Sequence, residues 1–215
     1  EYKKYESLAL RNGGNGYSYV QPRWRDMFIQ SLTEGMNIDR QEAQPVAFYL
    51  NGAFYGMMIL TERTNEDYVE HNYGLKKDEI DFLSVSAGYG YQCEAGTKEA
   101  YDKMLDYVRN NYESEDFYDE LDKMMDIDEY VDYQIVEQYV GNTDWVSNNT
   151  KLWRKHDGGR FRWILFDTDF GLSKATSVDK DMIKFATSEK GNEPMWTLLK
   201  SCLKIRFACS FLRQF

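Results

Sequence analysis

The chain has few of the residues on which covalent or zinc-centred scaffolds depend. Its 215 residues include three cysteines and two histidines, and no pair of cysteines has the C-x-x-C spacing of a zinc or redox motif. The odd number of cysteines gives no disulfide framework either, so we predict buried free thiols at Cys93, Cys202 and Cys209. These absences argue against the zinc-ribbon and disulfide-rich classes of small domain.

Positive charge and long apolar runs are scarce as well. Acidic residues outnumber basic ones by 36 to 26, which gives a net charge of −10. Nucleic acids and anionic membranes attract proteins through clustered Lys and Arg, so this balance disfavours both partners. No apolar run approaches the ~20 residues of a transmembrane helix. We therefore expect no nucleic-acid partner and no membrane span, while the oligomeric state stays open.

The apolar content is nevertheless that of a folded protein. Hydrophobic residues make up 42% of the sequence and aromatic residues 16%, which argues against disorder. The length suffices for one good core or for two lobes. The pattern of elements described next predicts an α+β fold with a small antiparallel sheet lobe at residues 1–63 and a mainly helical lobe at residues 64–215.

The first lobe is predicted to contain a sheet and one helix. Asn51-Gly52 lies between two apolar segments and is a strong hairpin signal, because a type I′ turn needs positive φ at both central positions. The glycine-rich residues 12–16 lack the spacing of known phosphate-binding loops and favour a plain connection. The predicted elements are a strand at 5–11, a helix at 23–34 and hairpin strands at 45–50 and 53–61.

The second lobe is predicted to be rich in helices. Ile127, Val131, Ile135 and Tyr139 recur at i, i+4 spacing, which predicts a buried stripe along one helix. Asp126 followed by Glu129 fits a capping pattern at the start of that helix. The predicted elements are helices at 65–73, from 97, at 114–125, at 126–140 and from Pro194, with a strand at 80–85 and a loop at 87–91.

A polar loop followed by a hairpin carries the strongest functional signal. Residues 141–149 lead into one strand, a turn at 157–159 leads into a second, and the second strand ends at Asp167. Antiparallel pairing brings Asn149 and Asp167 to the same end of such a hairpin. Carboxylate and amide oxygens suit Mg²⁺ or Mn²⁺ and leave room for phosphate. The pattern therefore predicts a metal site.

The position of Asp144 adds a catalytic role to this site. Asp144 precedes Asn149 by five residues. This is the offset from the base to the metal-binding Asn in the protein-kinase catalytic loop, where a further Asp on a later strand bridges the metal and the phosphates.

These motifs together resemble the spore coat protein H (CotH) family of atypical kinases. The segments "G-N-x-D-W-x-x-N-N-x-K-x-W-R" from Gly141 and "R-W-x-x-F-D-x-D-F-G" from Arg162 carry the resemblance, and upstream segments extend it over most of the chain. The resemblance implies a diverged protein-kinase-like fold, truncated at its start in this chain. It also implies ATP, Mg²⁺ or Mn²⁺ as cofactors and phosphorylation of Ser or Thr in secreted, surface or spore-coat proteins. An acidic kinase could prefer a basic, Ser-rich protein substrate.

The resemblance implies a role for each candidate residue. Asp144 is the base-like catalytic residue, and Asn149 with Asp167 binds the metal. Asp169 begins a literal D-F-G, but in the family pattern the first Asp of D-x-D has the metal role, so Asp169 is assigned an assisting one. The predicted nucleotide-binding residues are Arg11, Glu62 and Lys151. For Glu62 a surface ion pair is the alternative, and for Lys151 a strand position that faces water.

Two other classes of function stay open at this point. Metal-dependent glycosyltransferases also hold a nucleotide-sugar diphosphate with an apolar strand that ends in Asp-x-Asp, and Asp167 and Asp169 would then both face Mn²⁺. The other alternative is a non-catalytic kinase-like scaffold of a surface or coat, in which the fragment keeps a pocket but binds ATP weakly or not at all.

Overall fold

The structure is a computed structural model that describes residues 5–14, 22–173 and 179–187. The strands are β1 (Leu8–Arg11), β2 (Asp39–Arg40), β3 (Ala43–Leu50), β4 (Ala53–Glu62), β5 (Ile80–Ser86), β6 (Gly90–Ala95), β7 (Thr150–Lys155) and β8 (Arg162–Leu165). The helices are α1 (Arg25–Leu32), α2 (Glu66–Tyr73), α3 (Glu99–Asn111), α4 (Phe117–Asp122), α5 (Ile127–Tyr139) and α6 (Met182–Ala186). The fold is α+β, as predicted.

The first sheet is antiparallel and has the order β1-β4-β3. Its hairpin turn is the predicted one, with φ of 50° at Asn51 and 81° at Gly52. These positive values are those of a type I′ turn, which matches the twist of the flanking strands. α2 follows directly and ends at Gly74, whose φ of 70° allows the left-handed cap that the sequence predicts.

The second sheet has five strands in the order β2-β8-β7-β5-β6 and makes the later part of the chain less helical than predicted. β2 lies parallel to β8, and the other pairs are antiparallel. The predicted loop at 87–91 is instead the turn of the β5–β6 hairpin, and Gly90 and Tyr91 belong to β6. Because β2 comes from the first 63 residues, the two parts of the chain share this sheet.

The main core lies between the second sheet and the helices α3 to α5. It contains large side chains that are almost fully buried, including Tyr101, Tyr130, Tyr133, Trp145 and Trp163. In the part of the chain that the structure describes, no helix combines the length and the apolar character needed to cross a membrane.

The predicted apolar stripe of α5 is wrong in its second half. Ile135 is 46% exposed and Tyr139 is 81% exposed, whereas Tyr133 and Glu137 are completely buried. The buried face of the helix instead packs the large rings of Tyr130 and Tyr133, together with Val136, into the main core. The predicted cap at Asp126 forms, because its carboxylate accepts a hydrogen bond from the Glu129 backbone N–H at 3.3 Å.

Two further predictions concern the cysteines and the end of the chain. Cys93 is an exposed free thiol in β6, so its predicted burial is wrong, because its side chain lies on the outer side of an edge strand. Cys202, Cys209 and the helix predicted from Pro194 lie outside the described residues.

Candidate active site

The loop between α5 and β7 brings Asp144 and Asn149 into direct contact. Gly141 begins the loop with φ of 64°, and the Asn142 side-chain oxygen accepts a hydrogen bond from the Asp144 backbone N–H at 3.1 Å. The two oxygens of the Asp144 carboxylate accept hydrogen bonds from the side-chain amides of Asn148, at 3.2 Å, and Asn149, at 3.1 Å. The carboxylate is therefore held in one orientation while remaining half-buried.

The contact with Asp144 also fixes the side chain of Asn149. The amide nitrogen is the donor in this contact, so the amide oxygen faces away from Asp144. An oxygen in that position is available to a cation.

Asp167 lies at the same end of the β7–β8 hairpin as Asn149. Lys151 pairs with Ile164, so the residues before β7 and after β8 meet at one end of the hairpin. The Asp167 carboxylate accepts a hydrogen bond from Arg11 on β1, and the same guanidinium group contacts Asp26 on α1 at 3.2 Å. Arg11 therefore joins the first sheet, the first helix and the metal-binding candidate.

Asp26 fixes the segment that carries Asp167 and Asp169. One oxygen of its carboxylate accepts hydrogen bonds from the backbone N–H of Thr168, at 3.0 Å, and from the Thr168 hydroxyl, at 2.8 Å. Asp26 and Thr168 are both buried. This pair of contacts sets the conformation of the Asp-Thr-Asp segment from the side of α1.

Asp169 contacts Arg25 through its backbone and lies beside Gly14. Its carbonyl oxygen accepts a hydrogen bond from Arg25 at 2.9 Å. A Cβ atom at Gly14 would lie 2.2 Å from the Asp169 carboxylate, and the φ of 119° at Gly14 is one that glycine adopts most readily. Gly14, in the segment predicted as a plain connection, thus lies against the candidate site.

The backbone of the site adopts unusual conformations at three positions. Asn149 and Asp167 have positive φ values of 49° and 53°, and Val146 has φ of 76°. Asn and Asp tolerate this region, but a β-branched residue is a clear outlier there. Strain of this kind costs about 1–3 kcal/mol and occurs preferentially at functional sites.

Lys151 belongs to β7, and its side chain reaches the connection between β4 and α2. Its ammonium group donates a hydrogen bond to the carbonyl oxygen of Thr64 and lies 3.7 Å from the Glu94 carboxylate. The rings of Phe82 and Phe166 are within 5.7 Å and 5.5 Å. Burial lowers the pKa of Lys151. The side chain is largely enclosed and does not face water.

Glu62 lies on the opposite face of the first sheet from Arg11. Leu8 pairs with Glu62 and Arg11 pairs with Ile59, and side chains alternate between the faces along β1. The Glu62 carboxylate is buried and accepts a hydrogen bond from the Glu42 backbone N–H at 2.8 Å. It is not a surface ion pair with Arg63, and its carboxylate points away from the Arg11 side of the sheet.

The sequence did not identify the residues that support the site from behind. Its motifs give no role to Asp26, Glu137, Asn142 or Thr168, and they treat Gly14 as part of a plain connection. The position of Asp26 four residues after Pro22, early in a helix that follows the β1 strand, was the available signal for its role. Glu137 gave none, because it lies among the polar positions of an amphipathic pattern.

The donor set fits a hard cation that also binds phosphate. Among residues 5–14, 22–173 and 179–187, no three His, Cys, Asp or Glu side chains form a metal site by themselves. Asp167 and Asn149 provide oxygen atoms only, which is the ligand chemistry of Mg²⁺, an ion that commonly takes one or two protein ligands together with phosphate oxygens.

The comparison with known families agrees with these features. The family model described as CotH kinase protein matches residues 1–207. No curated protein matches the chain. Because the family match covers nearly the whole sequence, the chain belongs to the CotH kinase protein family, which indicates a kinase-type function at the level of the family.

Proposed function

We propose that the chain transfers the γ-phosphoryl group of ATP to Ser or Thr side chains of a protein substrate, with Mg²⁺ or Mn²⁺ held at Asp167. The observation that carries this proposal is the contact of Arg11 with both Asp26 on α1 and Asp167 after β8. In protein kinases a strand Lys pairs with a helix Glu, and an Asp on a later segment binds the metal. The contacts of Arg11 with one acid on a helix and with a second acid in the segment after β8 correspond to this arrangement.

Asp144 is assigned to the acceptor hydroxyl group. Its carboxylate is oriented by the amides of Asn148 and Asn149, and a carboxylate at such a position can accept the proton of a substrate hydroxyl. The hydroxyl oxygen then forms a bond to the γ-phosphorus, and the bond from that phosphorus to the bridging oxygen of ADP breaks. Phosphoryl transfer needs mainly positioning and charge neutralisation, so fixed geometry is the main requirement.

The remaining candidates surround the nucleotide. Asn149 and Asp167 would hold the cation, with Asp169 assisting, and the bound cation supplies positive charge to the phosphate oxygens. Arg11 adds a second positive charge beside Asp167. Lys151 belongs to the adenine end of this proposal, at the connection between β4 and α2, which corresponds to the hinge of a kinase. Glu62 adjoins this connection through its backbone, because its carboxylate faces away from Arg11.

The substrate and the location are part of the same proposal. The net charge of −10 favours a basic protein substrate, for which a Ser-rich surface or spore-coat protein is the candidate that the family suggests. We propose a location outside the cell, at its surface or in a spore coat, which the family membership supports.

The test is phosphate incorporation by the purified protein with labelled ATP, Mg²⁺ or Mn²⁺ and a basic, serine-rich protein. We expect Asp144→Ala and Asp167→Ala to abolish incorporation, whereas Asp106→Ala, at an exposed position on α3, should retain it. Full activity in either site variant would refute the assignment. Thermal stabilisation by a UDP-sugar with Mn²⁺ but not by ATP would favour glycosyl transfer, and stabilisation by neither nucleotide would favour a non-catalytic scaffold.

A further inference from the structure

The last turn of α5 contains a buried carboxyl group to which the proposed mechanism gives no role. Glu137 is 0% exposed, and its carboxylate accepts a hydrogen bond from the side-chain amide of Asn142 at 2.9 Å. Its backbone carbonyl oxygen also accepts a hydrogen bond from the Asn142 backbone N–H at 3.1 Å. Asn142 is thus bound to the same residue through its side chain and its backbone.

Asn142 also forms a hydrogen bond with the backbone of the candidate catalytic residue, Asp144. Its side-chain nitrogen is occupied by Glu137, so its side-chain oxygen faces the other way and accepts the Asp144 backbone N–H at 3.1 Å. Asn142 is itself 0% exposed. The hydrogen bonds between Glu137, Asn142 and Asp144 therefore form a chain that begins in the core and ends at the site.

The same end of α5 supports the other half of the site. The carbonyl oxygen of Val140 accepts the backbone N–H of Leu172 at 2.5 Å. A Cβ atom at Gly171 would lie 2.9 Å from the side chain of Val140, so the segment after Asp169 packs tightly on this helix end. Movement of this turn would disturb both loops that carry the candidate residues.

We propose that Glu137 is a positioning residue that fixes the backbone at Asp144, through Asn142, and thereby directs the Asp144 carboxylate at the acceptor. The proposal rests on the proposed function in that Asp144 is taken to orient the acceptor hydroxyl. Glu137 acts only through Asn142 and touches no reacting atom. It deepens the mechanism, because it explains how a loop with a strained Val146 holds a single conformation.

A carboxyl group at this place calls for a reason beyond packing. A residue that only filled the core would be apolar, because burial of an acid is costly unless its hydrogen bonds are satisfied. Burial is the largest influence on Glu137 and raises its pKa to about 8, with the carboxylates of Asp26 and Asp167 acting in the same direction and the hydrogen bond from Asn142 opposing them. The raised pKa reflects the cost of placing a carboxylate in this water-excluded position.

The first experiment removes and then rebuilds the hydrogen bond. Glu137→Leu deletes the acceptor, and Asn142→Asp replaces the donor by a second acid that faces Glu137. We expect each change to lower kcat on the order of tenfold or more, with the KM for ATP changed by about twofold or less, since Arg11 and Asp167 are untouched. In Glu137→Gln/Asn142→Asp the amide of residue 137 can donate to residue 142, and kcat should recover from that of Asn142→Asp alone.

Matched controls separate positioning from general destabilisation. Glu70→Leu makes the same change at an exposed position of α2 and should leave kcat unchanged. The melting temperature of each variant is measured in parallel. The proposal is overturned if Glu137→Leu folds and keeps the kcat of the unmodified protein, or if the double variant is as impaired as Asn142→Asp.

A second measurement does not depend on catalysis. The backbone N–H of Asp144 should exchange with deuterium slowly in the unmodified protein and on the order of tenfold faster in Glu137→Leu and Asn142→Asp, because its acceptor is no longer held. Unchanged exchange would overturn the positioning role even if activity fell. If the unmodified protein transferred no phosphate at all, the proposed function would fail, while the exchange rates would still decide the role of Glu137.

Discussion

The guanidinium group of Arg11 donates a hydrogen bond to the carboxylate of Asp167, although 156 residues separate the two in sequence. Burial alone would lower the pKa of Arg11, but the carboxylates of Asp167 and Asp26 raise it, and the net shift is upward. Arg11 is therefore a permanent cation between two acids that come from different parts of the fold. Its positive charge offsets the negative charge of both carboxylates where the first sheet meets the hairpin of the site.

Replacement of Arg11 should reveal the effect of this charge. Arg11→Met leaves Asp26 and Asp167 without their shared cation, and we expect the free energy of unfolding to fall on the order of 2 kcal/mol, less than for a fully buried pair because the Arg11 side chain is 28% exposed. Arg11→Lys should be intermediate, since a single ammonium group cannot match the guanidinium fork. Urea unfolding measures both changes.

The reference for this comparison is Arg109→Met. Arg109 is exposed on α3 and pairs with Asp106 at 3.2 Å, so its loss should change stability by a few tenths of a kcal/mol at most, within the range of about 0–1 kcal/mol for surface pairs. Equal effects of the two substitutions would show that the Arg11 contacts contribute no more than a surface pair. In the same samples, ATP affinity should fall only for the Arg11 variants.

The two acids of the Asp-Thr-Asp segment should differ in their effect on metal binding. Asp167 lies two residues after β8 and contacts Arg11, whereas Asp169 lies against Gly14 and its carbonyl oxygen accepts a hydrogen bond from Arg25. We expect Asp167→Asn to weaken Mn²⁺-dependent ATP binding on the order of a hundredfold and Asp169→Asn on the order of tenfold or less. Calorimetry with MnATP gives both affinities. The opposite ranking would make the literal D-F-G aspartate the principal ligand.

Local rules were sufficient for the parts of this fold that depend on neighbouring residues. The turn at Asn51-Gly52 and the end of α2 at Gly74 were predicted correctly, because positive φ at these positions is decided by residue type. The meeting of the segments before β7 and after β8 followed from the geometry of any antiparallel hairpin. The part of the site formed by one continuous segment was therefore accessible from the sequence.

The parts that depend on distant elements were not accessible. Periodicity placed Ile135 and Tyr139 in the core, but the buried side of α5 instead carries Tyr133, which accepts a hydrogen bond from Trp145 at 2.9 Å, and Glu137. The spacing of apolar residues along a helix carries no information about which distant elements will pack against it. For the same reason the support of the site by Asp26 required coordinates.

Asn149 allows backbone strain and ligand chemistry to be separated. Its φ of 49° lies in the left-handed region, which Asn and Gly adopt readily and Ala adopts at about 1 kcal/mol. We expect Asn149→Gly to unfold at nearly the same urea concentration as the unmodified protein and Asn149→Ala at a lower one. Both should lose phosphate transfer, because both lack the amide oxygen. Retention of transfer by Asn149→Gly would limit the role of this residue to its backbone.

The pH dependence of stability should identify the protonation state of Glu137. The folded pKa of about 8 lies above the value of about 4.3 for an exposed Glu, so between these values the folded state binds a proton that the unfolded state has lost. The contribution of Glu137 to the free energy of unfolding is fully present at acid pH. It decreases as the pH rises from the unfolded to the folded pKa, by at most about 1.4 kcal/mol per pH unit. Glu137→Gln is neutral throughout, so its stability relative to the unmodified protein should rise from pH 5 to pH 8 and level off above.

Subtracting the stability of the unmodified protein from that of Glu137→Gln at each pH removes the contribution of the other acids, because these titrate alike in both proteins. Glu70→Gln, at an exposed position of α2, supplies the reference for removal of one carboxyl group from a helix. If the curves for Glu137→Gln and the unmodified protein ran parallel between pH 5 and pH 8, Glu137 would be ionised in the folded state. The carboxyl group facing Asn142 would then be a buried anion. Its negative charge would have to be stabilised by hydrogen bonds from neighbouring groups.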